Sequence, residues 1–260
     1  MRRGIVVIAI CLLSWSMPAA AQFVAPGGAI PAVANIRGPG VFWRSDVSIL
    51  NLSPTDTTVT LLLFPELTNA GPAFETLVSD PISIVGNGQV TLPNVVTDVF
   101  GLRNAKGGLQ VVSGDGSPLV LASRTYTYAD IGGSYGLNVY GLPLIDTETA
   151  WLANVAEDSA YRTNVGIFLP IDPPAGSPLV FTVTVHDDEG TEVASGSVIF
   201  NQAGLRQENL TYFGVDPPLN DGWVEFHCSD PSYVWYAYAT VIDNPTGDSV
   251  YRAAIGQQAQ

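Results

Sequence analysis

The sequence predicts an all-β protein of two tandem antiparallel β-sandwich domains, immunoglobulin-like in type, and three observations carry that reading. Apolar and polar residues alternate at period two. Gly- and Pro-rich turns separate short apolar runs. One set of local patterns occurs twice along the chain. No stretch holds a sustained helical period, so many short strands with tight turns leave the sandwich as the architecture.

The amino end reads Met1-Arg2-Arg3-Gly4, then an apolar run over residues 5–13, then Pro18-Ala19-Ala20-Ala21 before Gln22. This charged, apolar, small-residue order is that of a secretory signal, so residues 1–21 are read as a signal peptide cleaved after Ala21. The run is far short of the roughly 20 apolar residues a spanning helix needs. Cys11 lies inside it behind Ile10, where a lipobox wants a small residue. The expected location is secreted or periplasmic, with no membrane insertion after cleavage.

Cleavage leaves Cys228 as the one cysteine, so no internal disulfide forms and the core alone must hold the fold. It also leaves 8 basic residues against 24 acidic ones, with Lys106 the sole lysine. Nucleic acid and anionic lipid are bound through clusters of Lys and Arg, so neither is expected as a partner. With 47% hydrophobic and 13% charged residues the chain is not of disordered composition.

The repeat rests on three anchors. Trp43-Arg44-Ser45-Asp46-Val47 matches Tyr161-Arg162-Thr163-Asn164-Val165. Gly108-Leu109 matches Gly222-Trp223, and Val120-Leu121-Ala122-Ser123 matches Val234-Trp235-Tyr236-Ala237. The later two spacings are shorter than the first, which one net insertion in the first copy absorbs. The copies run over residues 29–143 and 149–254, joined by residues 144–148. Each is long enough to bury a core without covalent staples.

Within the second copy, Phe181, Val183 and Val185 fall on one face of a strand and Thr182 and Thr184 on the other. Residues 59–64 are its counterpart in the first copy. Turn signals stand at residues 114–118, 187–190, 229–232 and 243–247, and short helical turns are expected at 94–100 and 207–213. The order Arg-Ser/Thr-Asp/Asn-Val, a Val-Thr-rich strand, Gly-Gly-Leu or Asp-Gly-Trp, and a closing Asp-Asn-Pro-Thr-Gly turn resembles uncharacterised secreted bacterial β-sandwich repeat proteins of immunoglobulin-like type. That resemblance implies an extracytoplasmic location and a sandwich fold, and brings no catalytic residues with it.

Few residues offer chemistry. Arg44 with Asp46, and Arg162 with Asn164, share a strand face two apart, a pattern that fits a surface or sheet-edge interaction better than a repeated recognition point. Cys228 follows His227 directly, so on a strand the two point apart and form no dyad. His186 precedes Asp187-Asp188-Glu189, which lacks both zinc-ligand spacing and the alternating acids of a calcium loop and reads as a solvated hairpin turn. Gly114-Asp115-Gly116 is read as a hairpin turn, not a phosphate loop. No cofactor, metal or catalytic site is expected.

The candidate ligand-binding residues are Trp223, His227, Tyr236 and Tyr238. If a hairpin turns between Asp230 and Pro231, antiparallel pairing sets Trp223 opposite Tyr238 and Glu225 opposite Tyr236, with His227 on the same face. Ala237, Ala239 and Val241 then point inward with Trp235. Such a strip suits stacking on sugars or another protein, and the competing expectation is burial or cover by the neighbouring copy. The function expected is non-catalytic surface, matrix or adhesive interaction with a protein or glycan; the alternatives are a carbohydrate-binding module and a hydrolase.

Overall fold

The computed structural model describes residues 24–38, 41–128, 133–141 and 145–256. The expected signal peptide, with Cys11 and the cleavage point at Ala21, lies outside the described residues. The first half is built on β1 (Gly27–Gly38), β2 (Val41–Asn51), β3 (Thr57–Pro65), β4 (Ile82–Ile84), β5 (Gln89–Leu92), β6 (Ala105–Ser113), β7 (Leu119–Tyr128) and β8 (Ser134–Tyr140). The second is built on β9 (Thr149–Glu157), β10 (Tyr161–Leu169), β11 (Leu179–His186), β12 (Glu192–Phe200), β13 (Gly204–Asn209), β14 (Leu219–Cys228), β15 (Tyr236–Asp243) and β16 (Ser249–Ala253).

All pairings among these strands are antiparallel, and the all-β expectation holds. In the first half one sheet row runs β4–β3–β6–β1 and another β5–β2–β7–β8. In the second half the rows are β12–β11–β14–β9 and β13–β10–β15–β16, the same order position for position. The far end of β1 also pairs with β2, joining the two rows of the first half. A helical turn, Val95–Asp98 in one half and Leu210–Phe213 in the other, stands where short helices were expected.

Two pairings in each half, β2 with β5 and β3 with β6, are those of strands B with E and C with F in immunoglobulin sandwiches. The topology then departs from that pattern. The strand after β6 does not return beside it; β7 crosses to pair with β2, and β1 takes the place beside β6. Residues 114–118 and 229–232 are therefore crossovers between sheets, not hairpin turns, and the expected pairing of Trp223 with Tyr238 does not form. Trp235 marks the second crossing. Its ring lies 5.1 Å from that of Phe181 in the core, and its indole N–H donates to the Thr147 carbonyl at 3.0 Å. The chain is thereby pulled through the sandwich before it can turn back.

The cores follow from alternation. Val224, Phe226 and Cys228 of β14 point inward with Phe181, Val183 and Val185 of β11, while Trp223, Glu225 and His227 point out. Burial pushes the Cys228 thiol pKa up, so it behaves as a small apolar side chain. In the first half Ile30, Ile49, Leu61, Leu109 and Leu121 fill the same space.

Pairing also corrects the alignment of the halves. Leu109 faces Leu63 as Val224 faces Val185, so Leu109 matches Val224 and not Trp223. The expected match is one residue out, and a slip of one residue reverses a face. Val120 likewise matches Tyr236, two residues from the expected Val234.

The repeated Arg-Ser/Thr-Asp/Asn-Val motif has a structural reason. Ser45 Oγ accepts from the Ala34 amide at 2.9 Å, and Thr163 Oγ1 accepts from the Ala156 amide at 3.1 Å, so one fully buried hydroxyl in each half satisfies a backbone donor of the preceding strand.

Candidate functional site

The predicted strip is divided by the crossing of β15. Tyr236 and Tyr238 sit on the outward face of the β13–β10–β15–β16 row, and that face is covered by the outward face of the β4–β3–β6–β1 row. Phe168 stacks on Tyr236 with ring centroids 5.6 Å apart and meets Phe64 at 5.4 Å; Tyr238 stacks on Tyr251 at 5.5 Å. Tyr236 and Tyr238 are each 1% exposed, which removes them as surface ligand residues. Cover by the other half of the chain is the outcome that occurs. Burial pushes the pKa of both phenols upward, and Tyr238 donates its hydroxyl hydrogen to Gln207 Oε1 at 2.8 Å.

Gly108 lets the halves approach, because a Cβ there would collide with the Phe168 ring. Gly166 leaves room for the ring of its cross-strand partner Tyr238 to lie against the sheet. The molecule is thus a stack of four sheet layers with an aromatic seam at its centre.

Trp223 and His227 remain on an outer face, that of the β12–β11–β14–β9 row, and the structure surrounds them with residues far away in sequence. The Trp223 ring stacks on His186 at 3.8 Å, nearly parallel. Glu225 lies opposite Trp151, whose indole N–H donates to Glu225 Oε2 at 3.2 Å. His227 Nε2 approaches Glu148 at 3.5 Å, both side chains being about half exposed. Beside Trp151 lies Ile255, 70% exposed. Trp151 and His186 escape sequence reasoning because the neighbours of β14 are β9 and β11, not the strand that follows it. Their only signal is alternation, with Leu152 and Val185 inward beside them.

The opposite outer face, on the β5–β2–β7–β8 row, has another chemistry. Arg44 lies over the ring of Tyr128 at 5.0 Å and Arg124 over that of Tyr126 at 4.8 Å. Asp46 is opposite Arg124 and accepts from the Asn94 amide at 2.8 Å. The Arg44–Asp46 pair is therefore a sheet-face arrangement, with Asp46 fastening the helical turn. Charge is divided as unequally as shape is shared: residues 24–141 hold five basic and eight acidic side chains, and residues 145–256 three and sixteen.

Carboxylates with shifted pKa values are tied into turns. Asp115 accepts from Thr57, Ser113 and the Ser117 amide, which hold its pKa well below the ordinary range. Asp230 is held low by Ser232. Burial raises the pKa of Glu157, whose Oε2 accepts from the Thr163 amide at 3.0 Å. Asp187 accepts from the Glu189 and Thr191 amides in the β11–β12 hairpin, the turn expected there. Among the described residues no three His, Cys, Asp or Glu side chains cluster as metal ligands, and no helix is long and apolar enough to cross a membrane.

No protein family and no curated protein matches the chain. Two crystal structures of a glycosyl hydrolase family 2 member from Bacteroides cellulosilyticus, one of them from strain DSM 14838, show a faint likeness. Each is 11% identical over 88% of this chain, with TM-scores of 0.20 and 0.18. The chain spans 28% and 26% of their lengths, and at such scores the likeness carries no argument about activity.

Proposed function

We propose that this is an exported, non-catalytic interaction protein whose two sandwiches, duplicated copies of one unit, form a rigid block with two unlike outer faces. The carrying observation is the seam. The aromatic side chains of β15 fix one half against the other, so the exposed rings open to a macromolecular partner stand on the faces at the two ends of the stack. One offers Trp151, Trp223, His186 and Glu225; the other offers Arg44, Arg124 and Tyr128. Trp, Tyr and Arg are the residues in which contact energy concentrates. Their partner is a protein or glycan outside the cytoplasm.

The test is adhesion of the purified protein, residues 22–260, to envelope and matrix fractions of the producing cell, compared with Trp151→Ala/Trp223→Ala and Arg44→Ala/Arg124→Ala double variants. Retention lost in either variant, with the melting temperature kept, supports the reading. Turnover in a panel of glycan and ester substrates, abolished by one acidic-residue change, contradicts it. Fractionation that leaves the protein in the cytoplasm contradicts the export.

A further inference from the structure

Where the halves meet, a cleft of about 460 Å³ opens between the mouth of the first sandwich and the outward face of β10 and β15. Interfaces between packed units are where small-molecule sites form, and this volume lies in their usual range. One wall is apolar and aromatic, with Ile36, Trp43, Tyr135 and Leu137; the Trp43 and Tyr135 rings meet edge to face at 6.0 Å. The other wall is polar, with Arg162, Asn164, Thr240 and Asn244. Tyr251 also lines the cleft, and its hydroxyl is buried without a partner among the described residues.

The charge of the lining runs against that of the chain. Among the described residues it includes two cations and no carboxylate, in a protein with 24 acidic and 10 basic residues. Lys106 is taken by Glu66 at 2.7 Å. Arg162 forms no ion pair within 4.0 Å among the described residues, and a hydrogen bond at 2.6 Å from its Nη1 to Asn244 Oδ1 orients the guanidinium. Its neighbour Glu157 is buried and turned to the Thr163 amide.

We infer that this cleft binds a short acidic glycan, a disaccharide bearing at least one uronic acid. Amide and hydroxyl side chains each carry a donor and an acceptor, which is the complement of vicinal hydroxyl groups. The indole and phenol rings suit the C–H face of a sugar ring. A guanidinium fork takes a carboxylate at two points. An apolar ligand would leave Asn164 and the remaining donors of Arg162 unpaired on burial, and a phosphate would call for the second cation that Glu66 has already neutralised.

The experiment is calorimetric titration of residues 22–260 with digalacturonate and dimannuronate, with digalactose as the neutral counterpart and benzoate as a carboxylate without a sugar. Saturable binding of at least one uronic disaccharide is expected, tenfold or more tighter than digalactose. Arg162→Ala, at an exposed position, should bring that affinity down to the digalactose level with the melting temperature unchanged, and Asn164→Leu should weaken both. Absence of saturation by both uronic probes overturns the site. Undiminished binding in Arg162→Ala overturns the placement, and benzoate binding as tightly as the best disaccharide overturns the sugar assignment.

Discussion

The two halves use the same strand order and bury opposite sheets against each other. In the first half the β4–β3–β6–β1 row faces the seam, with Leu62, Phe64 and Gly108 outward. Their counterparts in the second half are Thr184, His186 and Trp223, and that row faces solvent. Conversely Leu50, Ala122 and Val120 lie on an outer face where the second half has Phe168, Tyr238 and Tyr236 in the seam. Inward positions stay mostly apolar in both halves, with the buried hydroxyls of Ser45 and Thr163 a matched exception. Outward positions alone decide which sheet docks, so docking can change while the fold does not.

The comparison breaks most severely at Phe168. Truncation to Ala empties the centre of the seam and should cost about 3–5 kcal/mol, read by chemical denaturation. Phe181→Ala, inside the second core, should cost as much but leave the seam and the single transition in place. A filled Gly108 sharpens the point. Gly108→Val drives two methyl groups into Phe168 and should destabilise by roughly 1–3 kcal/mol, whereas Val at Gln110, further along the same strand, should be nearly neutral.

Alkali offers a third test. Burial holds Tyr236, Tyr238 and Tyr251 protonated to higher pH than in the unfolded chain, where a phenol titrates near about 10. Their contribution is therefore complete below that value and is lost as pH rises toward the raised native values. A fall in melting temperature above about pH 10 should be delayed in Tyr251→Phe, which removes a hydroxyl without a partner among the described residues. The smallest effect belongs to the outer face: Trp223→Ala loses mainly its stacking on His186, about 0.5–1.5 kcal/mol.

The sequence made the strands of both halves legible, because Phe181-Thr182-Val183-Thr184-Val185 can bury only one set of alternate residues. It placed Trp235 and the inward residues Ala237 and Ala239 of β15 correctly, while Val241, expected inward with them, is only partly buried. The site was half legible. Which residues share a face follows from period two, but which strand lies alongside does not, and the turn chemistry at Asp230 and Pro231 fits a crossover as well as a hairpin. Tyr236 and Tyr238 were therefore placed outward, as they are, without the sheet that covers them. Arg162 was seen as one of a repeated pair, and its cleft depends on Trp43 and Tyr135 arriving from the other half.

The most direct test of the seam is differential scanning calorimetry of residues 22–260 beside the Phe168→Ala variant. The seam predicts one cooperative endotherm for the native chain that separates into two, or broadens to a ratio of calorimetric to van't Hoff enthalpy above one, when Phe168 is lost. Two independent endotherms in the native protein, unmoved by the substitution, would contradict it.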